Sequence, residues 1–173
     1  MTPKVDLRRL NLGDRVFMSN SELLKELYER FDGMKVDLGV KTGFEELDSI
    51  FFISDAILSA GFVSKAGFSR QVCSRIVDTY MGWNNYLHNL VMPVPNYMIQ
   101  MQEHKMLVDD DKREIWKLIG EAMSLVSRNT LAGLTRDKKA EAQFIDDSFI
   151  FWNESFKPRL ERIIRKTVDG WKK

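Results

Sequence analysis

Between Phe44 and Leu58 the residues Phe44, Leu47, Ile50, Phe51, Phe52, Ile53, Ile57 and Leu58 leave almost no side of a helix polar. At about 100° per residue they cover most of the circumference, and a helix of that kind must be surrounded by other elements. Thr42 and Glu45 stand before it at capping-box spacing, and Gly61 follows it as a stop. The pattern predicts a central apolar helix over about 43–60.

The rest of the chain supplies the surrounding helices. Ser19 and Glu22 repeat the capping-box spacing, and Leu23, Leu24, Leu27, Tyr28 and Phe31 then recur at three- and four-residue steps as far as Gly33. A third stripe (Val72, Ile76, Val77, Tyr80, Leu87, Leu90, Val91) starts after Ser69 and ends before Pro93 and Pro95. The methionine-rich stretch Asn96 to Val108 reads as a shorter helix. Asp109, Asp110 and Asp111 suit the positive end of the next one, whose inward residues are Ile115, Leu118, Ile119, Ala122, Met123 and Val126. A break is expected near Asn129 to Gly133. Thr135 then caps a helix carrying Phe144, Ile145, Phe149, Trp152 and Phe156, and Pro158 kinks it or starts a last helix. Val36 to Val40 alternates like a strand, but a lone strand has nothing to pair with. The expected fold class is all-α, a compact bundle of six or seven helices. The chain reads as a single helical domain over 1–173, with residues 1–18 as an extended N-terminal arm.

Composition narrows the class of function. Of the 173 residues 44% are apolar, enough for a sizeable core, so a disordered chain is excluded. Twenty-six basic and twenty-five acidic residues leave a net charge of +1, too little to coat nucleic acid by overall charge, so any basic surface is local. Cys73 is the one cysteine, which rules out an internal disulfide framework. The first twelve residues carry Lys4, Asp6, Arg8 and Arg9 with no apolar run, unlike a signal peptide. Leu47 to Val63 contains Asp48 and Asp55 and is too short to span a bilayer. The chain is expected to be cytoplasmic (intracellular) and without a membrane partner.

Catalytic signals are sparse. The glycines between Ser59 and Ser69 lack the Gly-Lys-Ser or Gly-Lys-Thr of a phosphate loop. His88 and His104 have no second histidine three or four residues away, and Glu103 beside His104 points about 100° from it, so no metal or cofactor is expected. Cys73 lies on an apolar stripe, and His88 is about 22 Å further along the same helix, too far for a dyad. Asp48 and Asp55, seven apart, are expected to stack about 10 Å from each other on one helix. They read as partners for Lys65, Arg70 or Arg75, or alternatively as half of a metal-dependent hydrolase site.

Two features point to binding. From Lys157 onward, Lys157, Arg159, Arg162, Arg165, Lys166, Lys172 and Lys173 outnumber Glu161 and Asp169. Arg159, Arg162 and Lys166 share a helix face that suits phosphates or an acidic partner. The second feature is the Met- and aromatic-rich region from Tyr80 to Met106, from which Trp83, Tyr97, Met98 and Met101 are taken with Trp171 as a candidate protein interface. The leading expectation is a non-catalytic helical interaction or assembly protein, binding protein partners or itself. The alternative is a nucleic-acid-associated helical protein using Arg159, Arg162, Arg165, Lys166, Lys172 and Lys173, joined by Arg8 and Arg9.

Overall fold

The computed structural model describes residues 19–172. The expected arm over 1–18, with Arg8 and Arg9, and Lys173 at the other end lie outside the described residues. The chain runs α1 (Asn20–Leu38), α2 (Phe44–Phe51), α3 (Ile53–Ala60), α4 (Phe68–Val91), α5 (Met98–Met106), α6 (Asp109–Thr135), α7 (Lys138–Phe151), a π-helical turn (Trp152–Phe156) and α8 (Lys157–Trp171). No strand occurs among the described residues. With the unbroken stretch from Lys138 to Trp171 taken as one bent rod, seven helices make an all-α bundle. Its buried residues form one cluster drawn from every helix but α5. No described helix is long and apolar enough to cross a membrane.

The N-terminal capping box of α1 is as the spacing predicts: Glu22 accepts from Ser19 N at 2.7 Å. The helix does not stop at Gly33. It continues through buried Met34 to a left-handed Gly39, whose N–H donates to Lys35 O, so the stretch resembling a strand is the last turn of α1. Packing of Met34 in line with Leu27 and Phe31 outweighs the modest cost of an interior glycine.

The expected central helix is two helices meeting at a corner. Phe52 is left-handed (φ 51, ψ 50) and exposed, while Phe51 and Ile53 on either side are buried. A continuous helix would splay those three side chains through about 200°; the corner sends both buried neighbours into the core. Left-handed backbone at a non-glycine costs on the order of 1–2 kcal/mol. Four polar contacts hold it: Phe52 N donates to Asp48 O at 2.9 Å, Arg75 Nε to Phe51 O at 2.7 Å, and Ser54 N and Oγ both donate to the Asp48 carboxylate. Thr42 does not cap α2. Glu46 reaches back to Gly43 N, and Thr42 Oγ1 donates to Asp146 on α7 at 2.8 Å, as do the Lys41 and Thr42 backbone N–H groups.

α6 runs unbroken past Asn129 and ends at left-handed Arg136; Asp137, in place of Thr135, caps α7. Asn129 is buried and takes a bond from Arg70, and Gly133 leaves room for the same guanidinium. These residues are small or polar because α4 packs close here. Pro158 sits in the first turn of α8, just after the π-helical turn, whose defining bond runs from Lys157 N to Trp152 O. The wider turn brings Phe151, Trp152 and Phe156 together around Tyr80, at centroid distances of 5.2–6.0 Å.

Candidate interaction surfaces

Four places in the fold bear on binding or chemistry. The first is the basic helix. Arg159, only 16% exposed, donates through Nε to Glu114 and through Nη1 to Glu121; Arg162 also meets Glu114 at 3.3 Å, and Lys166 meets Asp111. The stripe of cations on α8 therefore faces a stripe of carboxylates on α6 and ties the two helices together. The acceptors hold the Arg159 guanidinium above its usual range, against the opposing effect of burial. Lys172 lies near Asp169 on its own helix, and Arg165 is exposed. Four of the six cations expected to meet phosphates thus already have carboxylates beside them.

The second is the pair Asp48 and Asp55. The corner at Phe52 puts them on different helices, so they do not stack. Asp48 serves Ser54 at the start of α3, and Asp55 is exposed. Neither pairs with Lys65, Arg70 or Arg75 in the way the spacing suggested; Arg75 instead binds the Phe51 carbonyl. Among the described residues no group of three or more His, Cys, Asp and Glu side chains is placed to hold a metal ion.

The third is a buried polar cluster that linear spacing did not reveal. Glu141 on α7 is 1% exposed. It accepts from Ser69 Oγ and from Lys138 Nζ at 2.9 Å, with Arg70 Nε at 3.6 Å. Ser69, in the first turn of α4, spends its hydroxyl on this carboxylate 72 residues away. Its partners sit three apart or across helices, and only the folded chain brings them to one point. Cys73 lies beside it, its Sγ 3.8 Å from Glu141 O. Burial pushes the Cys73 thiol up to about 12, with Arg70 opposing and Glu141 adding. The native protein is therefore expected to leave Ellman's reagent unreacted near pH 8 and to release one equivalent of thiol only in denaturant. Stoichiometric reaction of the native chain would show that Cys73 is not the packed residue described.

The fourth is the corner between α4 and α5. After Val91 the chain turns through Pro93, Pro95 and left-handed Asn96, then forms a nine-residue helix without one buried side chain. What fixes α5 lies at its C-terminal half. His104 Nδ1 meets Leu90 O at 2.8 Å and its Nε2 meets Lys112 Nζ at 3.1 Å. Since the ammonium can only donate, Nε2 accepts and Nδ1 carries the proton given to Leu90. Trp171 Nε1 donates to Glu103 at 3.2 Å, and Gly170 leaves the space that Met106 occupies. The N-terminal half is left projecting, and Met92, Val94, Tyr97, Met98, Ile99 and Met101 are all exposed, Met98 by 85%.

Of the five residues taken for a protein interface, Tyr97, Met98 and Met101 share this corner, and Trp171 reaches the same helix through Glu103. Trp83 is half-buried elsewhere, in a recess with Phe52, Arg75, Asp78 and Tyr86, none of whose walls comes from α5. Met92, Val94 and Ile99 were not among those five, although they stand in the same ten residues. Met123 was expected inward and is exposed, on the outer side of α6 with Trp116, Leu131 and Leu134. Their steps of seven, eight and three residues are a second stripe that the inward stripe of the same helix had overshadowed.

Comparison of the chain with protein-family models, with curated proteins and with solved structures found no match.

Proposed function

We propose that this protein is a non-catalytic helical interaction or assembly protein, and that the corner between α4 and α5 is its docking surface. The observation that carries this reading is the run from Met92 to Met101, in which six large apolar side chains are exposed, three of them in the turn that leads into α5 and three on α5 itself, a helix that gives none to the core. A nine-residue helix is unstable alone in water, so contacts with α4, α6 and α8 must hold it, and its outward residues add nothing to the fold that would require them to be apolar. Contiguous apolar exposure of this kind marks association sites, and methionine adapts to the shape of a partner. The basic face of α8, engaged with α6, is less available for phosphates than its spacing implied.

The test is a photo-crosslinking residue, benzoylphenylalanine, placed at Met98 in the full chain in its native cells. A discrete protein adduct at Met98, absent from the same substitution at exposed Lys139, is expected. Labelling at Met98 no different from that at Lys139, or an adduct made of nucleic acid, would overturn the reading.

A further inference from the structure

We infer that a second copy of this chain packs antiparallel against the outer face of α6. This surface is distinct from the α5 corner, and the inference does not depend on that reading. Trp116, Met123, Leu131 and Leu134 are exposed along α6, Leu134 by 78%, on the side turned away from the core residues Leu118, Ala122 and Leu125. Residues 116 to 134 make a seam about 27 Å long. Between Trp116 and Leu131 stand Gly120, Ser124 and Ser127, all exposed and small, beside Met123, whose flexible side chain can bend aside as two backbones approach.

The pattern complements itself only head to tail. With residue 123 or 124 on the two-fold axis, Trp116 of one copy meets Leu131 and Leu134 of the other, and Gly120 meets Ser127. Charge points the same way. Asp110 and Arg113, exposed and ion-paired with each other, stand near the N-terminal end of the seam, and Arg136 and Asp137, whose carboxylate also caps α7, follow its C-terminal end. Antiparallel packing sets Asp110 against the second Arg136 and Arg113 against the second Asp137, with the helix dipoles opposed. Parallel packing sets each of these charges against its own copy and Trp116 against Trp116. The apolar exposure is on the order of 450 Å² per copy, so with its polar rim the contact lies at the lower end of specific interfaces. A weak, reversible dimer is expected, with its affinity fixed by the sedimentation series rather than by the area.

Sedimentation of the full chain over a concentration series tests association, and cysteine cross-linking tests orientation, Cys73 being buried. The wild type is expected to pass from monomer to dimer, and L131E/L134E to weaken the dimer by about tenfold or more. Ser124→Cys, on the axis, is expected to form an interchain disulfide on oxidation, while Leu134→Cys, at the end of the seam, stays unlinked. R136D is expected to weaken pairing and D110R/R136D to restore it. A monomer at all concentrations overturns the inference, as does a dimer indifferent to L131E/L134E, or linking of Leu134→Cys without Ser124→Cys. Each of those outcomes leaves the Met98 adduct untouched, so the two surfaces stand or fall separately.

Discussion

Replacing Glu141 with alanine is expected to destabilise the native state by about 3 kcal/mol, at the lower edge of what breaking a buried ion pair costs. The carboxylate is 1% exposed and joins Ser69, Lys138 and Arg70 where α7 crosses the start of α4. Its removal leaves the Ser69 hydroxyl buried without its acceptor and two cations without their counter-charge. Lys138 and Arg70 are 43% and 32% exposed, so water recovers part of their solvation, which keeps the loss near that lower edge. Arg70 also retains its 2.6 Å bond to Asn129 Oδ1. For a domain of this size the change corresponds to a fall in Tm of roughly 6–12 °C. Thermal and urea unfolding of Glu141→Ala measure it, with Glu141→Gln as the comparison that keeps the shape and an acceptor. A loss below about 1 kcal/mol for Glu141→Ala would mean that the cluster is not the tie between α4 and α7 that its geometry indicates.

Tyr80→Ala is expected to cost as much or more, about 3–5 kcal/mol, the range for emptying an aromatic site in a core. The ring is fully buried among Phe51, Phe151, Trp152 and Phe156, and three of these contacts come from the bend between α7 and α8. Its hydroxyl donates to the Ser148 carbonyl at 2.8 Å. Burial raises the phenol well above its ordinary range, which favours the protonated hydroxyl that donates to Ser148. Tyr80→Phe keeps the packing and gives up one buried hydrogen bond, for about 1–2 kcal/mol. The difference between the two variants separates ring from hydroxyl. Equal losses in both would place the stabilisation in the bond to Ser148; a negligible loss for Tyr80→Ala would show that the aromatic cluster collapses around the gap.

The helices themselves were legible in the residues. The Ser19–Glu22 box, the stripe from Val72 to Val91, the stop at Pro93 and the short methionine-rich helix all appear where local periodicity and capping chemistry put them. Those signals act over three to seven residues, the distance over which one turn of helix touches the next. The Tyr97, Met98 and Met101 corner was legible for a related reason: a Pro-x-Pro break followed by apolar residues too few to make a core helix leaves them outside.

Breaks and pairings belong to the tertiary structure. Gly33 and Gly133 look like helix ends by residue type, yet Met34 and the α4–α6 packing carry the helices through. Phe52 has no breaker signal at all, and its left-handed corner exists because Arg75, Asp48 and Ser54 hold it while Phe51 and Ile53 enter the core from both sides. The polar assignments moved furthest. Thr42 and Ser69 have the local look of caps, and Arg159, Arg162 and Lys166 that of a solvated basic face. Each finds a carboxylate 45 to 104 residues away, at Asp146, Glu141, Glu114 or Asp111. By itself the sequence determined that this chain would be helical, where most turns of helix would form, and which sides would be apolar, because propensity and periodicity are local. Which charges would be neutralised and which apolar stripes left uncovered was decided only by the packing, because a charged or apolar side chain takes its partner from whatever helix the fold brings alongside.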